Sequence, residues 1–275
     1  MKDGPTHSNL PVCLTIAGLD PSGGAGIIAD IKTFSRFGCF AAAAISSVTF
    51  QNTTGVFGAV HQTAASVRRQ VEPVLDDYDV AASKTGMLPT AGIINEVARL
   101  IKKGGLKNIV VDPVVRSTSG FNLIDDEALK VLVERLFPLA QLITPNIPEA
   151  ERITGTAINS EEGIKRAAGI MRSMGAENIL IKGGHMRNAG PRGAEPNPKK
   201  ATDYLFLGDD LEVFEAEFIE TSATHGTGCT LAAAITANLA LGHNLAGAVR
   251  IAKEFVTEAI RTAPGIGKGH APINI

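Results

Sequence analysis

Short apolar runs alternate with longer segments of helical spacing along most of the chain. Six apolar runs of four to eight residues predict buried strands, at 12–17, 41–48, 80–83, 108–111, 141–144 and 178–182. Apolar residues spaced three and four apart predict helices between them, at 27–37, 64–75, 93–101, 125–136 and 161–174. Because strands alternate with helices across short connections, the pattern predicts an α/β fold with a mostly parallel sheet between layers of helices.

The pattern changes beyond residue 185. The sequence there is rich in glycine, proline and charged residues, so we expect a mobile surface loop over residues 186–201. Two apolar segments around a turn, 202–207 and 211–218, predict a β-hairpin. Helical patterns at 229–241 and 245–262 complete the chain.

No internal repeat and no linker divides the sequence. We therefore expect a single domain over residues 1–275. The first ten residues have no apolar core of their own, and we expect residues 1–10 to be a flexible N-terminus rather than a secretory signal.

The composition is that of an ordinary soluble globular protein. Of the 275 residues, 44% are hydrophobic and 20% are charged, and the formal net charge is −2. A nucleic-acid-binding surface would need clustered basic residues, which the sequence lacks. No apolar stretch reaches the ~18 residues of a membrane span. Three widely spaced cysteines favour a reducing compartment, so we expect a cytoplasmic protein that binds neither nucleic acid nor membrane.

The predicted sheet says where a ligand would bind. In open parallel sheets, ligands bind beyond the carboxyl ends of the strands. The candidates are therefore the polar and glycine residues that follow each strand, at 18–20, 49–52, 84–87, 112–114, 144–146 and 182–185.

The segment THGTGCTLAAAI, residues 224–235, places a glycine-rich turn before a predicted helix. The backbone N–H groups and the helix dipole at such a point favour an anion such as phosphate. Cys229 stands where the helix begins, and a thiol at a helix N-terminus has a lowered pKa. This cysteine is then a nucleophile, a base beside an anion or a small buried side chain. With His225 as its base, a nucleophilic cysteine would indicate a hydrolase or an acyltransferase.

Other loops supply further polar groups. The glycine-rich segment 18–30 has neither P-loop nor dinucleotide-fingerprint spacing, and its Asp30 is either a ligand for a polar molecule or a surface helix residue. Asn146 and Glu149 are spaced to suit a hydrated Mg²⁺ and equally to cap a helix. Lys182 ends a predicted strand, where a lysine can hold phosphates as a point charge.

These groups together describe phosphoryl transfer. An anion hole, a lysine and a carboxylate for Mg²⁺ supply the positioning and the charge stabilisation on which that reaction depends. A thiolate at Cys229 would then be the general base, which takes the proton of the hydroxyl that attacks the γ-phosphate.

Six motifs occur in register along the chain: LTIAGLDPSGGAGIIADIKTF (14–34), TFQNTTGV (49–56), KTGML (84–88), LITPNIPEA (142–150), IKGGH (181–185) and THGTGCTLAAA (224–234). With them the sequence closely resembles the hydroxymethylpyrimidine/phosphomethylpyrimidine kinases of thiamine biosynthesis, in the ribokinase superfamily, over essentially its whole length. The resemblance implies a ribokinase-like three-layer α/β/α fold with a β-hairpin in the C-terminal half. It also implies ATP and Mg²⁺ as cofactors, a homodimer, and two successive phosphorylations, of 4-amino-5-hydroxymethyl-2-methylpyrimidine and of its monophosphate.

The resemblance further implies roles for individual residues. The pyrimidine site would comprise Gly18, Asp30, Thr49, Gln51, Met87 and Val114. The amide of Gln51 can both donate to and accept from the ring nitrogen and amino group. The anion hole would comprise Gly226, Thr227 and Gly228, and Cys229 would be the base where most of the superfamily has aspartate. Mg²⁺–ATP would be faced by Asp112, Asn146 and Glu149, with Glu149 as the candidate metal ligand and Lys182 on the phosphates.

Some features depart from the family pattern, and other functions stay open. Leu19 removes a usual hydroxyl, the segment after Gly184 is long, and Ala271 replaces a glycine in the C-terminal tail. A pyridoxine/pyridoxal kinase of the same fold is the nearest alternative. A cysteine-nucleophile hydrolase and a non-catalytic pyrimidine-binding protein are the others.

Overall fold

The computed structural model of the chain describes residues 10–117, 120–183 and 200–275. In this part of the chain, nine strands form one sheet in the order β3-β2-β1-β4-β5-β6-β7-β8-β9. The strands are β1 (Val12–Leu19), β2 (Phe40–Asn52), β3 (Gly55–His61), β4 (Val80–Thr85), β5 (Ile109–Val111), β6 (Leu142–Ile143), β7 (Asn178–Lys182), β8 (Lys200–Leu207) and β9 (Asp210–Glu217).

The centre of the sheet is parallel, as the alternation of strands and helices predicts. Strands β2, β1, β4, β5, β6 and β7 are paired in parallel. Strand β3 is antiparallel to β2 at one edge, and β8 and β9 add antiparallel strands at the other. The carboxyl ends of the six parallel strands therefore meet at one edge of the molecule.

Helices cover both faces of the sheet. They are α1 (Gly26–Arg36), α2 (Ala64–Asp77), α3 (Ala91–Lys102), α4 (Asp126–Leu136), α5 (Ile147–Thr154), α6 (Glu161–Ser173), α7 (Thr227–Ala240) and α8 (Leu245–Arg261). One apolar core joins the sheet to α2–α6, and the opposite face packs against α1, α7 and α8. In β5 the side chains alternate between these cores, since Ile109 and Val111 face the first and Val110 the second.

The helix starts are encoded locally. Six helices begin after a residue whose side-chain oxygen accepts a hydrogen bond from the backbone N–H three positions on, which satisfies an otherwise unpaired donor. These N-cap residues are Thr63, Thr90, Asp125, Asn146, Ser160 and Asn244.

The structure corrects the sequence prediction at three places. Strand β2 runs to Asn52 and pairs with β3, a hairpin that the sequence did not predict. Its second strand reads GVFGAVH, with two glycines and no buried residue, so it lacks the alternation of a half-buried strand. Helix α7 begins at Thr227 rather than at residue 229, and β8 begins at Lys200, within the predicted mobile loop.

Two of the predictions from the sequence concern residues outside the part of the chain that the structure describes. The predicted flexible N-terminus, apart from Leu10, and residues 186–199 of the predicted mobile loop lie outside the described residues. Within the described residues, no helix is long and apolar enough to cross a membrane.

Candidate functional site

A cleft of about 770 Å³ lies at the carboxyl edge of the parallel strands. It is bounded by the loop after β1, the β2–β3 hairpin, the loops after β4, β5 and β6, and the N-terminus of α7. Thirteen of the fourteen site residues expected from the sequence line it: Gly18, Thr49, Gln51, Met87, Asp112, Val114, Asn146, Glu149, Lys182, Gly226, Thr227, Gly228 and Cys229. The exception is Asp30.

Asp30 lies behind the cleft wall and has no exposed surface. Its Oδ2 accepts hydrogen bonds from the hydroxyl of Thr15 at 2.7 Å and from Nζ of Lys84 at 2.9 Å. Burial raises the pKa of its carboxyl, and the attraction of Lys84 only partly offsets that. The structure thus places Asp30 outside the lining of the cleft, with Oδ2 bonded to its neighbours and Oδ1 buried without a partner among the described residues, and its contact with the pyrimidine stays a prediction.

Lys84 lies among the candidate residues 84–87 named from the sequence, where it was given no role of its own. It ends a buried strand and is itself fully buried, with Nζ close beneath Gly86, where an added Cβ would lie 3.1 Å away. Burial disfavours its charge, but the attraction of Asp30, Cys229 and Asp112 outweighs burial and raises its pKa. Its signals in the sequence are its place at the end of a predicted strand, in the motif KTGML, and its charge inside an otherwise uncharged strand.

The state of Cys229 differs from the expectation. Desolvation raises the pKa of its thiol to about 11, and the nearby carboxylates of Asp30 and Asp112 add to the rise. Lys84 and a backbone hydrogen bond with Gly26 act in the lowering direction without reversing it. The expected lowering of the thiol pKa by the helix N-terminus is therefore wrong, because burial and the carboxylates of Asp30 and Asp112 outweigh it.

His225 does not pair with Cys229 as a base would. Its Nε2 lies 2.7 Å from Oδ2 of Asp20, which belongs to the loop after β1. No local pattern predicts this pair, because its members are 205 positions apart. The bond to Asp20 leaves Nδ1 of His225 open, but among the described residues no hydrogen bond joins the imidazole to Cys229, so the structure gives a cysteine-nucleophile hydrolase no direct support.

The N-terminus of α7 forms an anion site that only glycine can build. Gly226 has φ of 85°, and a Cβ there would overlap the carbonyl oxygen of Gly24. A Cβ on Gly228 would lie 3.3 Å from Nζ of Lys182. The Lys182 ammonium thus lies beside the N–H groups of the helix start, of which that of Thr227 also donates to the carbonyl of Thr224 at 3.4 Å, an arrangement that suits a phosphate.

Asp112, Asn146 and Glu149 form the polar wall opposite α7. Oδ1 of Asp112 accepts from Nζ of Lys182 and from the hydroxyl of Thr144, both at 3.0 Å. Asn146 and Glu149 form a capping box at the start of α5, with both hydrogen bonds at 2.8 Å. The helix-capping interpretation of this pair is therefore confirmed.

Burial raises the pKa of Glu149 to about 7, and Asp112 acts in the same direction, against the attraction of Lys182. For Lys182, burial disfavours the charge, but Asp112 and Glu149 outweigh it and raise the pKa. No group of three or more histidine, cysteine or acidic side chains among the described residues could hold a metal by itself. Two carboxylate residues do suit Mg²⁺, which is commonly bound by one or two carboxylates together with water and substrate phosphates.

The other end of the cleft is apolar apart from one amide. Gly18 packs on Met87, where an added Cβ would lie 3.0 Å from the sulfur. The hydroxyl of Thr49 donates to the carbonyl of Leu19 at 2.9 Å, which ties β2 to the end of β1. The side-chain amide of Gln51 lines the cleft and has no hydrogen-bond partner among the described residues. It is thus available to a ligand.

A second buried ion pair was also missed from the sequence. Nζ of Lys253 on α8 lies 2.7 Å from Oδ2 of Asp203 on β8, and Oδ1 of Asp203 accepts from the backbone N–H of Gly183. Both charged residues line the cleft. Nothing in the sequence pairs them, since they belong to a hairpin and a helix 50 positions apart.

Comparisons with known proteins match nearly the whole chain to one family of kinases. A family model described as phosphomethylpyrimidine kinase matches residues 20–274. The hydroxymethylpyrimidine/phosphomethylpyrimidine kinase of Bacillus subtilis is 45% identical over 261 residues, which cover 95% of this chain and 93% of the relative. The enzyme of the same name from Haemophilus influenzae is 42% identical over 268 residues, or 97% of each chain.

Solved structures of two kinds of kinase share the fold. Phosphomethylpyrimidine kinase from Clostridium difficile is 40% identical, with a TM-score of 0.77 over 91% of this chain and 99% of that one. Bacillus subtilis pyridoxal kinase, in an ADP complex, is 36% identical, with a TM-score of 0.84 over 96% and 97%. Staphylococcus aureus pyridoxal kinase with AMP-PCP and pyridoxal is 31% identical, with a TM-score of 0.85 over 96% and 93%. The expected ribokinase-like α/β fold is confirmed.

Proposed function

The chain belongs to the phosphomethylpyrimidine kinase family, and from this premise we infer that it is an ATP-dependent hydroxymethylpyrimidine and phosphomethylpyrimidine kinase of thiamine biosynthesis. The first acceptor is the hydroxymethyl group of 4-amino-5-hydroxymethyl-2-methylpyrimidine, and the second is the resulting monophosphate. The observation that carries the assignment is the meeting of Cys229, the Lys182 ammonium and the start of α7 in one cleft. Phosphoryl transfer depends on such positioning and charge stabilisation.

The anion site holds the phosphoryl group in transfer. The acceptor oxygen forms a bond to the γ-phosphorus while the bond from that phosphorus to the bridging oxygen of ADP breaks. The N–H of Gly228 and Lys182 oppose the negative charge on the phosphoryl oxygens, and the N–H of Thr227 joins them if it exchanges its long bond to Thr224, at 3.4 Å, for the phosphoryl group. These donors lie at a helix N-terminus held by close backbone contacts, so they need little rearrangement during the reaction.

Cys229 is the proposed proton acceptor for the attacking hydroxyl. Because its pKa is about 11, the thiolate is a minor species at neutral pH, and a rise in pH increases it. Lys84 is the cation that opposes this rise in the pKa of the thiol. The proposed base is therefore weakly populated in the ligand-free protein, and the rate should depend on pH.

Mg²⁺ fits the carboxylates of Asp112 and Glu149. Each carboxylate offers oxygen ligands, and both residues face the side of the cleft that holds Lys182. When bound, Mg²⁺ supplies positive charge to the phosphate oxygens and helps to orient them. Asn146 holds the backbone and side chain of Glu149 in place through the capping box.

The apolar end of the cleft is the proposed pyrimidine site. The amide of Gln51 can donate to a ring nitrogen and accept from the amino group. Met87 and Val114 supply apolar walls, and Gly18 lets the ring approach the end of β1 closely. Thr49 holds the hairpin strand that carries Gln51 against that strand end.

A pyridoxal kinase is the second candidate, because pyridoxal kinases at 31% and 36% identity share the fold with TM-scores of 0.85 and 0.84. ATP consumption should be measured in parallel with hydroxymethylpyrimidine and with pyridoxal, with the products separated by mass. Mono- and diphosphates of the pyrimidine are the expected result. Pyridoxal phosphate as the only product would overturn the substrate and leave the kinase chemistry in place.

Three broader features complete the proposal. The whole chain, residues 1–275, is one kinase domain, and it works as a homodimer. All three cysteines are free thiols, which suits the reducing cytoplasm as its compartment.

A further inference from the structure

His225 lies where three segments around the cleft meet. Its Nε2 bonds to Asp20 in the loop after β1, at 2.7 Å. Its backbone N–H donates to the carbonyl of Ala271 in the C-terminal tail, at 3.3 Å. Its ring also packs on Gly24, where an added Cβ would overlap the imidazole. The loop that leads into α7 is therefore joined at one residue to both of its neighbours.

Asp20 is held as an anion by this arrangement. Its Oδ1 accepts from the backbone N–H and the hydroxyl of Ser22, at 2.8 and 2.7 Å, and its Oδ2 accepts from the N–H of Ala25 at 2.9 Å. Burial acts to raise its pKa, but the hydrogen bonds from His225 and Ser22 outweigh burial and lower it. A carboxylate only accepts hydrogen bonds, so Nε2 of His225 is the donor.

The C-terminal tail extends the connection to the β2–β3 hairpin. The backbone N–H groups of residues 268–270 donate to Thr53, two to its hydroxyl at 3.2 and 3.3 Å and one to its carbonyl at 2.8 Å. Thr53 lies in the hairpin turn, two residues after Gln51. Further along the tail, Ile273 is buried and Asn274 bonds to α8, which anchors the tail to the body of the protein.

We propose that His225 is a positioning residue for phosphoryl transfer, and that its hydrogen bond to Asp20 sets the place of the anion hole relative to the pyrimidine site. The amides of the anion hole follow His225 directly in sequence. A shift of His225 therefore moves them against a phosphate that must stay in line with the acceptor oxygen. The proposal rests on the proposed function, because it assigns a part of that reaction to this residue.

This role differs from that of a base for Cys229. Nε2 carries its hydrogen toward Asp20, so only Nδ1 could accept a proton, and no hydrogen bond joins Nδ1 to Cys229 among the described residues. The bond joins two glycine-rich loops that approach closely because Gly24 and Gly226 carry no side chain. It is charge-assisted and therefore stronger than a neutral hydrogen bond, so its loss should loosen the contact between the loops.

The test compares His225→Ala, His225→Gln, Asp20→Asn and the double variant Asp20→Asn/His225→Ala. His225→Ala should lower kcat by about 100-fold while the KM for the pyrimidine changes by less than about threefold, because the misplaced groups act on the transferring phosphoryl. The amide N–H of glutamine can still reach Asp20, so His225→Gln should recover most of the rate. The double variant should be no slower than His225→Ala, because both changes break one bond.

His243→Gln is the matched control, since His243 is exposed in the turn after α7, and its kcat should equal that of the wild type. A wild-type kcat in His225→Ala would overturn the proposal. The proposal would also fail if His225→Gln were as slow as His225→Ala while Asp20→Asn kept full activity. That combination would indicate that His225 acts as a base. If His225→Ala lowered the Tm but left the kcat of the folded protein unchanged, the hydrogen bond between His225 and Asp20 would have only a structural role, and the proposal would be wrong.

A second measurement needs no turnover and so separates this proposal from the proposed function. Cys13 and Cys39 are buried, and Cys229 is the partly exposed thiol at the anion hole. Its alkylation by iodoacetamide should change severalfold in His225→Ala and stay near the wild-type rate in His225→Gln. Equal alkylation rates in all variants would overturn the positioning role, even if the wild type phosphorylated another acceptor.

Discussion

At the scale of single residues, the candidate site is organised around charges that are buried beside it. Lys84 and Asp30 have no exposed side-chain surface, and their atoms Nζ and Oδ2 are 2.9 Å apart. Neither lines the cleft, yet both act on the thiol that does: Lys84 lowers the pKa of Cys229 and Asp30 raises it. The pKa of the Cys229 thiol is therefore influenced from behind the cleft wall, in addition to the larger effect of its own burial.

The pH dependence of the rate tests the role of Cys229. If the thiolate is the base and its pKa is about 11, kcat should rise with pH above neutrality, because the thiolate fraction grows about tenfold per pH unit below the pKa. Cys229→Ala should lower kcat strongly, change pyrimidine affinity little and remove this slope. Steady-state kinetics from pH 7 upward would measure both. A kcat independent of pH in the wild type would make the thiol a positioning group instead.

The buried ion pair makes a prediction about stability. Lys84→Met leaves Asp30 buried without its cation and should cost about 3–5 kcal/mol in the free energy of unfolding at neutral pH. The loss should shrink as the pH falls, because Asp30, whose pKa is already raised, can then take up a proton. Urea unfolding at several pH values would measure it.

Lys107→Met is the matched control. Lys107 and Asp79 form an exposed ion pair at 2.7 Å, and its loss should cost less than about 1 kcal/mol. Adding Asp30→Asn to Lys84→Met should restore part of the stability, since it removes the unpaired charge. Equal losses for the buried and the exposed lysine would contradict the account of the pair.

At the scale of elements, the start of α7 depends on one glycine. Gly226 has φ of 85° and lies against the carbonyl of Gly24, so Gly226→Ala must move the loop as well as strain it. We expect kcat to fall by about 100-fold, because the anion-hole amides move with the loop. Steady-state kinetics and thermal unfolding would separate this effect from the loss of stability.

Gly242→Ala supplies the comparison at the other end of the same helix. Gly242 has φ of 87° but nothing within 4 Å of an added Cβ. It should lose about 1–2 kcal/mol of stability from backbone strain and keep its kcat. An equal loss of kcat in both variants would mean that strain in the helix, rather than the position of the loop, limits the rate.

The elements also show how far a single sequence can predict this fold. The buried parallel strands can be predicted from their continuous apolar runs. In β5, for example, Val110 and its neighbours are all apolar and all buried. Strand β3 cannot be predicted from hydrophobic periodicity, because its side chains are exposed or half-exposed. The pairing of Gln51 with Val56 is set by the turn between the two strands. The contact between Asp20 and His225 cannot be predicted for another reason: the two residues are 205 positions apart, and such a contact leaves no local pattern.

At the scale of the whole molecule, one sheet edge collects residues from nearly the full length of the chain. Gly18 and Cys229 line the same cleft although they lie in the first and last quarters of the sequence. Parallel strand ends bring the first of these loops together, and the α7 N-terminus and the C-terminal tail close the site from the other side. The position of the cleft can be predicted from the rule that ligands bind at the carboxyl ends of parallel strands. The hydrogen bonds that join its loops to one another can be seen only in the folded structure.

The hairpin edge is where we expect the second subunit. Phe50 and Val60 lie on one face of the β2–β3 hairpin and are 52% and 54% exposed, and Phe57, at the bulge, is 69% exposed. Exposed apolar side chains in a group mark contact surfaces, and here the site residue Gln51 lies between them in sequence. Phe57→Asp should therefore convert a dimer to a monomer in light scattering after size exclusion. Val213→Asp, at the opposite edge on β9 and 50% exposed, should leave the dimer intact. If the Phe57→Asp variant stays a dimer, the subunit contact lies elsewhere. If the wild type is a monomer, there is no such contact.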